Sequence, residues 1–326
     1  MSLLPVPDFY SPSQASEIYL ERAGLVADAA EAYAREHGVK PSAEDRFKIA
    51  AFGIDAQVGF CTPGASLFVP GAVEDTQRVL AWLYGNCDKI TALHFSLDTH
   101  RVFQIFHPAW WVDERGAHPA PFTAISRDDV RSGRWAPVTH PRESLEYVEK
   151  LEATGKYVLT IWPYHALLGG VSHALAPALM EASMFHAALR RRQTHFETKG
   201  THALTENYSV LSPEVTELGG QPVGAFNEPF FRMLMEYDRI YVFGQAKSHC
   251  VRSTLEDIRD HARRVDPSLA EKVWILEDAM SPVPAPPLDP LPPGLDFPAI
   301  GERAIRELEG AGMKVAKTTD PITAPP

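Results

Sequence analysis

Cys250 is the residue around which a chemistry can be built. The stretch Arg239–Val265, RIYVFGQAKSHCVRSTLEDIRDHARRV, opens on a short apolar run, Ile240–Phe243, that Gly244 ends, which reads as a buried strand. From Cys250 on, Val251, Leu255, Ile258 and Ala262 fall at helical spacing and leave Arg252, Arg259, Arg263 and Arg264 for the outer face. Cys250 therefore lies where a strand turns into a helix. Free N–H groups and the helix dipole there are expected to lower the thiol pKa, and the turn offers donors to an oxyanion. A small buried cysteine with no chemical role has the same local sequence, so the reading depends on what else the chain brings to the same place.

Four other polar sites follow predicted strands in the same way. Asp55 follows Phe47–Ile54, Asp98 and His100 follow Lys89–Ser96, His165 follows Tyr157–Ile161, and Lys199 follows Gln193–Thr198. In an open parallel sheet ligands bind at the C-terminal edge of the strands. Asp55, Lys199 and Cys250 form one set: a thiol nucleophile, a carboxylate to take its proton and an ammonium to hold the charge. A turn-capping aspartate or a solvated lysine explains each alone, but less well when all three share an edge. Asp98, His100 and His165, with His107 as a further candidate, form a second set. Carboxylate and imidazole suit one divalent ion, Zn²⁺, Fe²⁺ or Mn²⁺, although with 13 histidines in the chain the Asp-x-His spacing alone says little.

The elements that must hold these residues alternate. Predicted helices Ala72–Tyr84, Ala174–Arg192, Pro229–Tyr237 and Ile305–Gly310 separate the strands, which continue with Lys272–Leu276 and Met313–Lys317. This is the pattern of an α/β protein with a doubly wound, mostly parallel sheet flanked by helices. Residues 1–45 read as an N-terminal helical extension, with Ser13–Glu36 helical, packing on the domain or on a partner subunit. Residues 46–326 read as the main α/β domain, which carries the candidate site residues and is interrupted by an insertion at 108–155. Its irregular part, Pro108–Pro141, carries Trp110, Trp111, Phe122 and Trp135. Long loops of this kind are usually functional or disordered. Trp110 or Trp111 is expected either to wall a substrate pocket or to pack on the domain's own surface.

Over 326 residues the net charge is −11, which disfavours nucleic acid or an anionic membrane as partner. Three cysteines are too few for a disulfide framework. The first residues lack a basic and apolar leader pattern, and no apolar run reaches membrane-spanning length. The expectation is a reduced, cytoplasmic protein, homo-oligomeric, acting on a small molecule.

With these motifs in view the chain resembles the isochorismatase-like cysteine hydrolases, and among them the nicotinamidases. Asp55-Ala56-Gln57-Val58-Gly59-Phe60-Cys61-Thr62-Pro63-Gly64 is similar to the first-strand motif, whose Asp is the catalytic base. Ser96-Leu97-Asp98-Thr99-His100 resembles the metal motif, Trp162-Pro163-Tyr164-His165 the segment with a second metal-binding His, and Lys199-Gly200-Thr201 through Asn207-Tyr208-Ser209 the catalytic-lysine segment. Gly244 to Val251 resembles the nucleophile turn, and Glu277-Asp278-Ala279 the strand end that follows. The resemblance implies a non-proline cis peptide before Ala246 and an oxyanion hole made by the N–H groups of Ala246 and Cys250. It also implies hydrolysis of a small amide through a Cys250 thioester, with nicotinamide, whose ring nitrogen the metal would bind, as the first candidate. A carbamoyl or ureido compound is the alternative, and a non-catalytic binding protein a more distant one. Phe60, Trp162, His249 and Trp110 are the candidate substrate contacts. Ala166 replaces the Cys that usually follows the His of the Trp-Pro segment, and Gly169-Gly170-Val171-Ser172-His173 replaces the usual turn; both departures surround the pocket rather than the catalytic groups.

Overall fold

The chain builds a sheet of six parallel strands, Ile49–Ile54 (β1), Ala92–Asp98 (β2), His195–Lys199 (β3), Arg239–Gly244 (β4), Val273–Leu276 (β5) and Lys314–Ala316 (β6). Their order is β6-β5-β4-β1-β2-β3. This computed structural model describes residues 4–18, 22–287, 289–291 and 293–323. Chain order runs outward in one direction from β1 and in the other from β4, so the switch point lies between these two strands. That is where a doubly wound sheet opens a crevice at its C-terminal edge.

Alternation along the strands sorts the core into two layers. In β1, Ala50, Phe52 and Ile54 face one side with Phe230, Leu234, Leu255 and Ile258, while Ile49 and Ala51 face the other with Val79, Leu80, Leu179 and Phe185. The first side is covered by the helices Pro141–Ala153, Glu228–Met235, Arg252–Val265 and Phe297–Gly310, and the second by Ala23–His37, Ala72–Gly85 and Pro177–Arg190. In chain order these are α1 (Ala23–His37), α2 (Ala72–Gly85), α3 (Pro141–Ala153), α4 (Pro177–Arg190), α5 (Glu228–Met235), α6 (Arg252–Val265) and α7 (Phe297–Gly310).

Three expectations change. The N-terminal segment is a short 3-10 turn, Pro12–Ser16, followed by α1, which ends on Gly38 in the left-handed region; residues 19–21 lie outside the described residues. The run Tyr157–Ile161 is not a strand of the central sheet. Leu159–Thr160 pairs antiparallel with Ala124–Ile125 of the insertion, and β3 occupies the place beside β2. The helix expected at Ile305–Gly310 begins at Phe297, where Asp296 caps it by accepting from Ala299 N–H and Pro298 sits in the first turn, the one place a helix tolerates proline.

The insertion packs on its own domain. Trp110 and Trp111 are among the largest fully buried side chains. The Trp110 indole N–H donates to Ser144 Oγ of α3 at 3.0 Å, and that of Trp111 to the Ile105 carbonyl at 2.6 Å. Phe122 alone among the insertion's large aromatics is well exposed, with its ring edge-on to Trp162. Trp110→Ala is therefore expected to cost about 3–5 kcal/mol of stability, since it empties a closed site and strands the Ser144 hydroxyl. Urea denaturation measures this, and KM should stay within about twofold at temperatures where the variant is folded.

Candidate active site

Each catalytic candidate is delivered by a different strand. Asp55 follows β1 directly and adopts φ +47°, a left-handed conformation that aspartate tolerates better than most residues. It is held there by Ser96 of β2, whose hydroxyl accepts from Asp55 N–H at 3.0 Å and donates to Asp55 Oδ1 at 2.6 Å. Asp98 is the last residue of β2. The Gln57 side chain fixes its backbone, accepting from Asp98 N–H at 2.8 Å and donating to Asp98 C=O at 2.9 Å. Lys199 ends β3 and Gly200 follows with φ +81°. A Cβ on Gly200 would come within 2.8 Å of the His100 ring and 3.1 Å of Asp98 Oδ1, so only glycine lets β3 turn beside this pair.

Cys250 sits, as expected, between β4 and α6, on the turn of π-helix Lys247–Val251. Gly244 has φ +121°, and a Cβ there would lie 2.0 Å from Ile54 O, which explains the glycine that ends β4. The Gln245–Ala246 peptide is cis. The neighbouring N–H groups of Gln245 and Lys247 are committed to the carbonyls of Ile54 and Ser281 at 2.8 and 2.9 Å.

At the centre, Lys199 Nζ lies 3.0 Å from Asp55 Oδ2, 2.8 Å from Asp98 Oδ1, 2.7 Å from Asn207 O and 3.7 Å from Cys250 Sγ. All four side chains are buried. Burial pushes the Asp55 carboxyl up, more than the Lys199 charge pulls it down. Burial also works against the Lys199 ammonium, yet Asp55 and Asp98 outweigh it and raise its pKa well above the usual lysine range. For Asp98, burial is overcome by His100, Lys199 and the hydrogen bonds from His100 and His165, so it stays ionised far below the usual range. The expectation of a lowered thiol pKa fails. Burial dominates at Cys250 and Asp55 adds to it, so the thiol is pushed well up despite Lys199. A local dipole argument does not see desolvation. A thiol whose pKa is raised in this way would need a base beside it before it could act as a nucleophile.

Beside this group, Asp98 Oδ2 meets His100 Nε2 at 2.8 Å and His165 Nε2 at 3.4 Å. His165 arrives on the loop after the insertion rather than from a sheet strand; Ala166 and Leu168 hydrogen-bond the backbone of His100 and draw that loop along the end of β2. The other ring nitrogen of each histidine faces a backbone carbonyl, Gly200 O at 3.2 Å for His100 and Pro163 O at 2.7 Å for His165. A proton on each Nδ1, donated to those carbonyls, would leave Nε2 free to ligate an ion held with Asp98, whereas the direct Nε2 contact with Asp98 requires the proton on Nε2. One ligand atom each from Asp98, His100 and His165 lies within 4.8 Å of the others. His107 stands apart from this trio, its ring centroid 5.8 Å from that of His100 and 6.1 Å from that of His165. Its Nδ1 faces Val102 O, and its buried Nε2 has no hydrogen-bond partner.

Asp98, His165, Lys199 and Cys250 open into one cleft of about 400 Å³ counting its mouth, lined also by Phe60, Trp162, Tyr208, His249 and Ala246. Phe60 lies edge-on to His165, and the Trp162 indole N–H donates to Tyr208 OH at 3.0 Å. His249 is kept neutral by burial, its pKa lowered to about 3. Trp110 does not line the cleft; its place in the core under α3 removes it from the substrate contacts. Sequence reasoning missed Glu206, a buried carboxyl in the wall.

No protein-family model matches the chain, and no curated protein matches it in sequence. Solved structures do match. An Acinetobacter baumanii nicotinamidase pyrazinamidase superimposes with a TM-score of 0.52 at 19% identity, covering 85% of this chain and 99% of the other. The yeast nicotinamidase bound to the inhibitor nicotinaldehyde gives 0.53 at 14%, covering 82% and 99%. The chain has the fold of these nicotinamidases. At such low identity the likeness fixes the parallel sheet and its layers, and the chemistry must be argued from the side chains. The nicotinamidase fold fits within this chain almost whole, so the segments it leaves uncovered are additions to that frame.

Proposed function

We propose that the protein is a metal-assisted cysteine amidohydrolase of the nicotinamidase type, cleaving a small amide to acid and ammonia. The observation that carries this reading is the single ammonium of Lys199 placed between Asp55, Asp98 and Cys250 at the floor of a cleft. In this mechanism Cys250 Sγ attacks the amide carbonyl as its proton passes to Asp55, while Lys199 holds the developing negative charge. The N–H groups of Ala246 and Cys250 receive the carbonyl oxygen of the tetrahedral intermediate. Asp55 then hands its proton to the leaving nitrogen, and the C–N bond breaks to give ammonia and a Cys250 thioester. Water, losing a proton to Asp55, attacks the thioester; the acid leaves and Cys250 regains its proton. Phe60 and Trp162 flank a planar substrate, and His249, neutral, contributes to the wall without adding charge.

The residues fit a divalent ion. Two imidazoles, each with Nδ1 facing a backbone carbonyl, and one ionised carboxylate offer a borderline-soft donor set, and His107, whose buried Nε2 is unspent, stands beyond the trio. Asp98, His100 and His165 would hold the ion, with His107 or water completing its shell. Bound there, it would supply a Lewis-acidic anchor for a nitrogen or oxygen of the substrate.

Metal-stripped protein is expected to take up roughly one equivalent of Zn²⁺, as a single site implies, and Asp98→Ala and His165→Ala to take up none. Elemental analysis after dialysis reads this directly; equal uptake by the wild type and both variants would remove the metal from the scheme. The activity itself is tested by an ammonia-release screen over nicotinamide, pyrazinamide and carbamoyl and ureido compounds, with no release from any of them as the result that defeats the proposal.

A further inference from the structure

The cleft contains a carboxyl group that this mechanism does not use. Glu206, on the loop between β3 and α5, is 4% exposed and lines the cleft. Among the described residues its carboxylate takes one hydrogen bond, from Asn207 N–H to Oε1 at 2.8 Å. Oε2 has none. The nearby cation cannot serve it, because Lys199 Nζ is committed to Asp55, Asp98 and the Asn207 carbonyl. Burial above all, and then the charge of Asp98, push the Glu206 pKa up to about 8 against the pull of Lys199, so an N–H brought to Oε2 would favour the ionised, accepting form that the protein lacks the donors to hold. The carboxylate is thus short of positive charge and of donors.

Its backbone, by contrast, is pinned. Glu206 C=O accepts from Glu214 N–H at 2.9 Å, and Glu206 N–H donates to Tyr147 OH at 3.3 Å. Tyr147 is a fully buried residue of α3, within the insertion. The insertion therefore reaches the cleft indirectly, by fixing the loop that carries Glu206. The rest of the side chain is buried, and Oε2, which makes no bond within the protein, opens on the cleft, where a ligand can reach it. Held rigidly in a ligand cleft, such an atom has the character of a preorganised recognition group.

Taking the amidohydrolase reading as its basis, we infer that Glu206 is a specificity residue that selects a small amide carrying a second N–H donor, such as an amino, carboxamide or ureido group, for Oε2 to accept. A site built to accept from a substrate N–H discriminates strongly against the analogue lacking it, because the buried acceptor is then left bare. Plain nicotinamide has no such second donor.

The test compares nicotinamide with its 2-, 5- and 6-amino derivatives and with pyridine-3,5-dicarboxamide, on metal-loaded wild type, Glu206→Gln and Glu206→Leu. For the wild type, at least one donor-bearing amide is expected to exceed nicotinamide in kcat/KM by about tenfold or more. The preference should fall to near parity in Glu206→Leu and be partly kept in Glu206→Gln, whose carbonyl oxygen still accepts. The same ratio in the wild type and Glu206→Leu, or a wild-type preference for nicotinamide, overturns the inference. If no probe releases ammonia, the amidohydrolase reading fails, and calorimetry on Cys250→Ala decides the inference by itself. Tighter binding of donor-bearing probes, lost when Glu206→Leu is added, upholds it; equal binding, or none, overturns it.

Discussion

Cys250→Ala is expected to lower amide turnover by about 10⁴-fold or more, because the covalent route has no second nucleophile. Cys61 and Cys87 cannot substitute. Both are buried, neither lines the cleft, and burial pushes both thiols up to about 12. Cys61→Ala and Cys87→Ala should keep most of the activity. Cys250 is buried and proton-bearing too, but it alone has a carboxylate and an ammonium beside it to move that proton. Mass spectrometry of acid-quenched wild type should show the acyl adduct on the peptide containing Cys250, and the variant should show none. Retention of about a tenth of the wild-type rate by Cys250→Ala would be far too much for a missing nucleophile and would sink the thioester route.

That contrast shows which parts of the site are legible in sequence. Asp55, Asp98 and Cys250 are readable because each ends or follows an apolar run and Lys199 because it closes a short predicted strand, and strand ends in a parallel sheet share an edge. The structure brings the other three within reach of the Lys199 ammonium. His165 reaches the same place by a different route. Its preceding run, Tyr157–Ile161, alternates as an edge strand does, and its partner lies in the insertion at Ala124–Ile125. An apolar run records burial but not which sheet provides it.

Trp110 and Glu206 show the opposite errors. A tryptophan in an irregular stretch beside a predicted ligand suggests a pocket wall, but a bond to Ser144, 34 residues away, takes it into the core. A glutamate in a polar loop suggests solvent, but Tyr147 and Glu214 fold that loop inward. Neither long-range contact leaves a periodic signal. The Cys250 thiol fails for a related reason: dipoles can be read locally, whereas desolvation depends on the whole surrounding packing.

Lys199→Met tests the electrostatic arrangement as a whole, and its expected effects are on both activity and stability. Turnover should be lost, since among the described residues no other cation lies against Asp55 and Cys250. Removing one partner from a buried charge cluster costs about 3–5 kcal/mol, because the charges left behind are neither solvated nor paired. Here two carboxylates, Asp55 and Asp98, would face each other without the ammonium that lies 3.0 and 2.8 Å from them. The sign of the pH dependence follows. Asp55 already has a raised pKa in the folded protein, and Lys199 is what opposes a further rise. In the variant its folded pKa moves higher still above the unfolded value, so the ionised form destabilises the fold at neutral pH. That penalty fades as the carboxyl protonates on both sides of the equilibrium toward about pH 4. Urea midpoints of metal-free wild type and variant should therefore differ most at neutral pH and converge on acidification. Adding Asp55→Asn to Lys199→Met should recover part of the lost stability without restoring turnover. A Lys199→Met protein as stable as the wild type at neutral pH would mean that the three charges are not the buried cluster the distances describe.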